Sequence, residues 1–208
     1  MDYFNDNINR LKSLKKNGYN FVGVDVGIRY LATMIDINDN LLRYSLGLYH
    51  LECNTEKYKK KENELNNLIL QFADGQMPYN IQKKCKKLTK QLKYHSWCDK
   101  KRSFDKFIDR IKDKFGDKIV LCIGDSGRDV INDDFINYLT KKFISYQVNE
   151  EYTSKYCSEC GTILEPMIID GQKILRLVKC PNKECIVQVR NKDTNAVRNI
   201  LYRVLAEL

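Results

Sequence analysis

The chain has 208 residues, of which 43% are hydrophobic and 30% are charged, a composition typical of one folded core with a small appendage. No apolar run approaches the ~20 residues that a membrane span needs, and residues 1–16 lack the apolar stretch of a secretory signal. These features argue against a membrane or secreted protein, and they predict a reducing compartment, the cytoplasm or the nucleus.

The net charge of +9 is concentrated in one segment. Residues 82–114 contain thirteen Lys or Arg against four Asp, so the remainder of the chain is close to neutral. This concentration indicates a surface that faces nucleic acid, although a solvated helix face in a lysine-rich protein has the same composition. The residues predicted to contact nucleic acid are Lys83, Lys84, Lys86, Lys87, Lys90, Lys93, Lys100, Lys101 and Arg102.

The first half of the chain begins with strands and continues with helices. Residues 1–18 predict a short amphipathic helix or a loose arm. Predicted strands cover residues 20–26, 29–37 and 41–50, and their tight connections predict an antiparallel meander. Helical patterns follow at residues 56–72, 81–95 and 104–115, with a break at 74–75. His95 and Trp97 lie near the junction of the last two helices and are expected to pack, with contact to a base or sugar as the alternative.

The second half predicts a strand at 118–123 with a tight exit at 124–127, a helix at 130–142 and a strand at 144–149. Two strands around 170–171 and a final helix at 194–205 follow. This order predicts an α/β fold, a mixed sheet with helices on its faces, and it matches the ribonuclease H-like fold. The predicted domains are an N-terminal arm or remnant of another domain (1–19), the sheet domain (20–150 and 191–208, with a basic helical insert at 54–116) and a metal-folded insert (151–190).

The prediction of a metal-folded insert depends on four cysteines that occur in two pairs. Cys157 and Cys160 have two residues between them, and Cys180 and Cys185 have four. Four thiolates can close a tetrahedral shell around zinc, which stabilises a hairpin too poor in apolar residues to fold unaided. A shell filled by sulfur has no open position, so this Zn²⁺ would be structural. The alternative is a set of unrelated free cysteines.

Two aspartates predict a second metal site. Asp25 ends a strand shortly before Gly27, and Asp193 begins the last helix. Each has an ordinary structural explanation, as a turn residue or as a favourable charge at a helix N-terminus. Two-metal phosphodiester hydrolysis, however, needs several carboxylates that converge on ions ~4 Å apart, and Mg²⁺ prefers such oxygen ligands.

Three motifs together resemble the TnpB family, the transposon-associated proteins also called OrfB. They are VDVGI at 24–28, YTSKYCSECG at 152–161 and KDTNAVRNIL at 192–201. The resemblance implies a RuvC-like nuclease domain with an inserted zinc ribbon, and RNA-guided, magnesium-dependent cleavage of DNA. It also implies that Asp25 and Asp193 are catalytic, and that the four cysteines of the two pairs bind zinc.

The third catalytic carboxylate departs from the bacterial pattern. Bacterial members place a glutamate where this chain has Gly124, followed by Asp125. The Gly-Asp pair resembles Fanzor proteins, the eukaryotic and viral relatives, which use a glutamate shortly before the zinc knuckle. Glu150 matches that place, so the resemblance implies a magnesium site of Asp25, Glu150 and Asp193. Asp125 is the fallback ligand, and Glu151 or no third ligand are further alternatives.

Only about twenty residues precede the first strand, whereas guided nucleases of this family carry an N-terminal half that binds guide RNA. The resemblance therefore implies a truncated chain, with DNA target and guide-like RNA as partners and a separate chain as a source of the missing half. One alternative function is a catalytically inactive DNA- or RNA-binding remnant that keeps the fold and the zinc ribbon. Another is a zinc-ribbon interaction module without catalytic ancestry.

Overall fold

A computed structural model describes residues 2–27, 29–72, 77–125 and 130–208, with the side chains of residues 2–6 and 130–132 excepted. The predicted break at 74–75, the second half of the exit turn at 124–127 and the last residue of the VDVGI motif lie outside these residues. The chain forms two compact units. Unit 1 is Met1–Tyr44 with Arg110–Leu208, and unit 2 is Ser45–Asp109.

Unit 1 is built on a five-stranded mixed sheet. Its strands are β1 (Asn20–Asp25), β2 (Tyr30–Asp36), β3 (Leu41–Ser45), β4 (Ile119–Gly124) and β5 (Ile144–Val148). The sheet order is β3-β2-β1-β4-β5, with β1 antiparallel to β2 and parallel to β4, and β4 parallel to β5. The predicted mixed sheet is therefore confirmed. The parallel arrangement brings the carboxyl ends of β1, β4 and β5 to one edge.

The flanking helices of unit 1 are α1 (Asp2–Lys16), α5 (Val130–Thr140) and α6 (Lys192–Leu205). Helix α6 buries Val197, Ile200, Leu201 and Val204 in a core with residues of β1, β4 and β5. Gly23 makes this approach possible, because a Cβ there would lie 2.6 Å from the Val197 carbonyl oxygen. The N-terminal segment is a helix rather than a loose arm.

A second sheet of unit 1 carries the cysteine pairs. It consists of β6 (Glu165–Ile169), β7 (Gln172–Lys179) and β8 (Val189–Asn191) in the order β6-β7-β8. The hairpin of β6 and β7 agrees with the prediction, whereas the three-residue β8 was not predicted. Its pairing with β7 leads the chain directly into α6.

Unit 2 contains α2 (Leu46–Glu52), α3 (Thr55–Leu70) and most of α4 (Tyr79–Phe115). Residues 46–50 were wrongly predicted as part of the third strand. The Ser45 hydroxyl accepts a hydrogen bond from the Leu48 backbone at 3.1 Å and begins a helix there.

Helix α4 is continuous, so the predicted pair of basic helices is wrong. Residues 96–103 contain no Pro or Gly, and the buried Asp99 pairs with Arg102 at 2.9 Å, one turn along. Asp99 also accepts hydrogen bonds from Asn54 and Tyr58, at 3.0 and 2.8 Å. These contacts hold the middle of α4 helical where the apolar pattern changes phase.

None of the helices in the described part of the chain has both the length and the apolar character of a membrane span.

Candidate active site

Glu150 fills the space that Gly124 leaves open. Gly124 ends β4 beside Val148, the last residue of β5, and Glu150 follows two residues later. A Cβ on Gly124 would lie 2.1 Å from Glu150 Oε2. That oxygen is buried and has no hydrogen-bond partner among the described groups. A buried carboxylate oxygen without a donor is costly unless a cation or water completes its shell.

Three residues hold the backbone around Glu150 by hydrogen bonds. The carboxylate of Asp125 accepts a hydrogen bond from the Glu150 amide at 3.0 Å. Thr153 donates to the Glu150 carbonyl from its amide and its hydroxyl, at 3.0 and 2.8 Å. Arg203 of α6 donates to the carbonyl groups before and after Glu150. Asp125, predicted as a fallback ligand, thus positions Glu150 by binding the Glu150 backbone amide.

Asp25 lies at the carboxyl end of β1, close enough to the other two acids to feel their charge. The pKa of Asp25 is raised from 3.8 to about 7, mainly by burial and in addition by the negative charges of Glu150 and Asp193. Arg176 and Lys192 act on it in the opposite direction. A small cavity of about 30 Å³ is lined by Asp25, Gly27, Arg29, Tyr30, Thr33, Arg176 and Asp193.

Asp193 is placed by the start of α6. The Asn191 side chain caps this helix, accepting hydrogen bonds from the amides of Asp193 and Thr194 at 2.9 and 3.2 Å. Arg176 of β7 donates to Asp193 Oδ2 at 2.6 Å. Arg176 was not predicted, because its contact depends on the register of β7, which shifts at a bulge opposite Pro166 and Met167.

The three predicted carboxylates interact through their charges but are not gathered around one point: among the described residues, only the four cysteines bring possible metal-ligand atoms together. Asp25, Glu150 and Asp193 come from three separate parts of the chain, and their charges interact at one edge of the sheet. Hard oxygen donors of this kind suit Mg²⁺, and a cation would offset the repulsion that raises the Asp25 pKa. Glu151 is exposed and contributes no interaction to this cluster among those described.

The four predicted cysteines form one cluster. The sulfur atoms of Cys157, Cys160, Cys180 and Cys185 all lie within 4.8 Å of one another, so the cluster could bind a metal such as zinc. Burial raises the pKa of Cys180 to about 12, so a thiolate at that position needs a cation beside it. Gly161 takes a φ of 71° in the turn after the first pair, a conformation that favours glycine.

Helix α6 joins the cysteine cluster to the carboxylates. The amide of the buried Asn195 donates to the carbonyls of Thr153 and Tyr156 at 3.1 and 2.7 Å, and its oxygen accepts from the Ser158 amide at 3.0 Å. Asn199 donates to the same two carbonyls at 2.7 and 2.8 Å. One helix therefore carries Asp193 and also holds the loop between Glu150 and Cys157.

The predicted nucleic-acid contacts all lie on α4 in unit 2. Lys83, Lys84, Lys86, Lys87, Lys90, Lys93, Lys101 and Arg102 are exposed, and Lys100 is half-buried. Trp97 and His95 were expected to pack, but both are exposed, Trp97 by 56%. The continuous helix explains the difference, because no junction closes over these side chains.

A protein-family model and a solved structure both show similarity of this chain to Cas12f1. Residues 134–200, which include Glu150, the four cysteines and Asp193, match the family described as Cas12f1-like, TNB domain. No curated protein sequence matches the chain. A solved structure described as "Cryo-EM structure of the Cas12f1-sgRNA-target DNA complex" contains a similar fold, with 20% identity and a TM-score of 0.50. The match covers 87% of this chain and 38% of the Cas12f1 chain.

Proposed function

We propose that this chain is the nuclease domain of a TnpB-like, RNA-guided, transposon-associated endonuclease, closest in pattern to the Fanzor branch. It hydrolyses DNA phosphodiester bonds with Mg²⁺ held by Asp25, Glu150 and Asp193. The observation that carries the proposal is the Glu150 Oε2 atom, which is buried against Gly124 without a donor among the described groups.

The chain's own residues support this chemistry in distinct ways. Asp25, Glu150 and Asp193 bind the metal ions through their carboxylates. When bound, two such ions activate the attacking water and stabilise the leaving oxygen. Arg176, which contacts Asp193, adds positive charge where a scissile phosphate would lie. The loop contacts of Asp125, Thr153 and Arg203 hold Glu150 in place.

The zinc ribbon has a supporting role in this proposal. Four cysteine thiolates hold Zn²⁺ and stabilise the ribbon, which lies between Glu150 and Asp193 in sequence. The ribbon also supplies Arg176 to the carboxylates. The proposed partners are a DNA target and a guide-like RNA, by analogy with the Cas12f1 complex. A separate chain supplying a guide-binding half is part of the same proposal.

An inactive nucleic-acid-binding remnant is the second candidate, and one observation favours it. Arg176 occupies Asp193 Oδ2 at 2.6 Å, where a metal ion would bind. The position of Glu150 supports the nuclease instead, because an inactive fold has no need of a buried carboxylate oxygen without a donor.

Manganese- or magnesium-dependent cleavage of single-stranded DNA at low salt tests the proposal. We expect the wild-type chain to cut and Asp25→Ala to lose this activity, with both proteins equally folded by circular dichroism. If the wild type cuts no more than Asp25→Ala, the enzyme proposal fails and the inactive remnant is favoured.

A further inference from the structure

One exposed face of α4 combines lysines with two aromatic rings. The residues Lys83, Lys87, Lys90, Tyr94, Trp97 and Lys101 follow one another at spacings of four, three, four, three and four, which places them on one side of a helix. All six are exposed. The buried residues Cys85, Asp99 and Ser103 lie on the opposite side. We call these six residues the α4 stripe.

The two aromatic rings of the α4 stripe are open to solvent. Tyr94 is 62% exposed and Trp97 is 56% exposed, although helices usually turn such rings towards a core. Their ring centroids are 6.3 Å apart with an interplanar angle of 30°, and Lys101 Nζ lies 5.7 Å from the Trp97 centroid. Adjacent rings with a cation beside them form a flat, positively charged surface.

The charge of the stripe selects a polyanion. Between Tyr79 and Cys98 the helix contains no Asp or Glu. The first acid, Asp99, is buried and pairs with Arg102. An anionic partner therefore meets lysines without competing carboxylates on this part of α4, and the rings favour a partner that also presents flat π faces.

We propose that the α4 stripe binds single-stranded nucleic acid, with unpaired bases stacked on Tyr94 and Trp97 and phosphates on the flanking lysines. Lysines alone bind any phosphate backbone, whereas exposed rings require bases that have left the duplex. The inference rests on the proposed function only in taking nucleic acid as the ligand. It needs no cleavage, so it is tested without added Mg²⁺ or Mn²⁺, where a failed nuclease and a failed stripe are distinguishable.

The intrinsic fluorescence of the chain can detect this contact, because Trp97 is its only tryptophan. Fluorescence of the full chain is titrated with a single-stranded oligonucleotide of about 16 nucleotides, with an abasic strand of equal length, and with a duplex of equal phosphate count. We expect the base-bearing single strand to quench Trp97 and to bind most tightly. The abasic strand is expected to bind more weakly without quenching. Equal binding by all three ligands without quenching overturns the proposal.

Variants separate stacking from charge, with affinities measured by anisotropy of a labelled strand. Tyr94→Leu and Trp97→Leu are each expected to weaken single-strand binding about tenfold, at an unchanged salt dependence, whereas Trp97→Phe keeps most of the affinity. Lys90→Ala is expected to lower the salt slope by about 0.7 and to weaken abasic and base-bearing strands alike.

Lys60→Ala, on α3 of the same unit, removes the same charge away from the stripe and serves as the control. It is expected to leave the quenching in place and to weaken binding less than Lys90→Ala. Unchanged single-strand affinity in both leucine variants, with folding intact by circular dichroism, contradicts the proposal. Repeating the titration with RNA and DNA strands identifies which of the two the stripe prefers.

Discussion

Gly124→Ala is the most informative single substitution for the proposed active site. The added Cβ would lie 2.1 Å from Glu150 Oε2, whereas real Cβ contacts almost never fall below 3.0 Å. The carboxylate must therefore retreat by about 1 Å, and a misplacement of that size costs roughly 100-fold in rate. We expect magnesium-dependent DNA cleavage to fall about 100-fold.

The same substitution should leave the fold intact. The displaced atom is the end of a flexible side chain, and Gly124 is not among the described residues with positive φ. Alanine also restricts the unfolded chain, which offsets the 3.0 Å approach to Ile200 Cδ1, so the free energy of unfolding should change by less than about 1 kcal/mol.

Cleavage is measured under single-turnover conditions, and the free energy of unfolding is measured by urea titration. Gly47→Ala is the matched control, because nothing lies within 4 Å of a Cβ there; it should leave cleavage unchanged and, as a helical glycine, stabilise the fold by at most about 1 kcal/mol. Wild-type cleavage by a folded Gly124→Ala protein would refute the role given to the Gly124 gap.

Three further predictions concern packing, charge and metal. Gly23→Ala should destabilise the chain by roughly 1–3 kcal/mol in urea, because its Cβ meets the Val197 carbonyl of α6 at 2.6 Å; an unchanged midpoint contradicts this. Asp25→Asn should stabilise the chain, without added Mg²⁺, by about 4 kcal/mol at pH 8 and by less than about 1 kcal/mol at pH 4. The sign follows because the folded pKa, raised to about 7, exceeds the unfolded value of 3.8, so wild-type stability is lost as pH rises between them; an equal effect at both pH values contradicts it. Atomic absorption should find one zinc per chain, lost in Cys180→Ser and kept in Cys98→Ser, which changes a cysteine outside the cluster; retention in both variants contradicts the site.

Local patterns in the sequence predicted much of the fold. Strands β1 and β4 are short apolar runs, β5 alternates apolar and polar residues, and α6 repeats its apolar side chains at helical spacing, so each could be recognised alone. The cysteine spacing likewise predicted which sulfur atoms meet. These features depend on neighbours in sequence, which is why they could be recognised without the fold.

Features that depend on distant residues or on a single cap were missed. A serine cap turned residues 46–50 into α2, although their alternation favours a strand. The phase change near Trp97 indicated a break, but the partners of Asp99 on α3 keep α4 continuous. Arg176 reaches Asp193 through the register of a bulged hairpin, which residue spacing does not reveal.

The third carboxylate could not be chosen among neighbouring acidic residues without the three-dimensional structure. The sequence offered Asp125, Glu150 and Glu151 as a third ligand, and all three lie near the ends of β4 and β5. The turn after β5 directs Glu150 towards Gly124, while the Asp125 carboxylate is occupied by the Glu150 amide. Which of these carboxylates binds metal remains a prediction.

Glu150→Gln, compared with Glu151→Gln, is the sharpest test of Glu150 as a metal ligand, because the two substitutions remove the same charge from adjacent residues. Magnesium-dependent cleavage of single-stranded DNA is measured for both proteins beside the wild type and Asp25→Ala. We predict that cleavage by Glu150→Gln falls to the level of Asp25→Ala, while Glu151→Gln cuts like the wild type. Wild-type cleavage by Glu150→Gln, or an equal loss in both variants, would contradict this prediction.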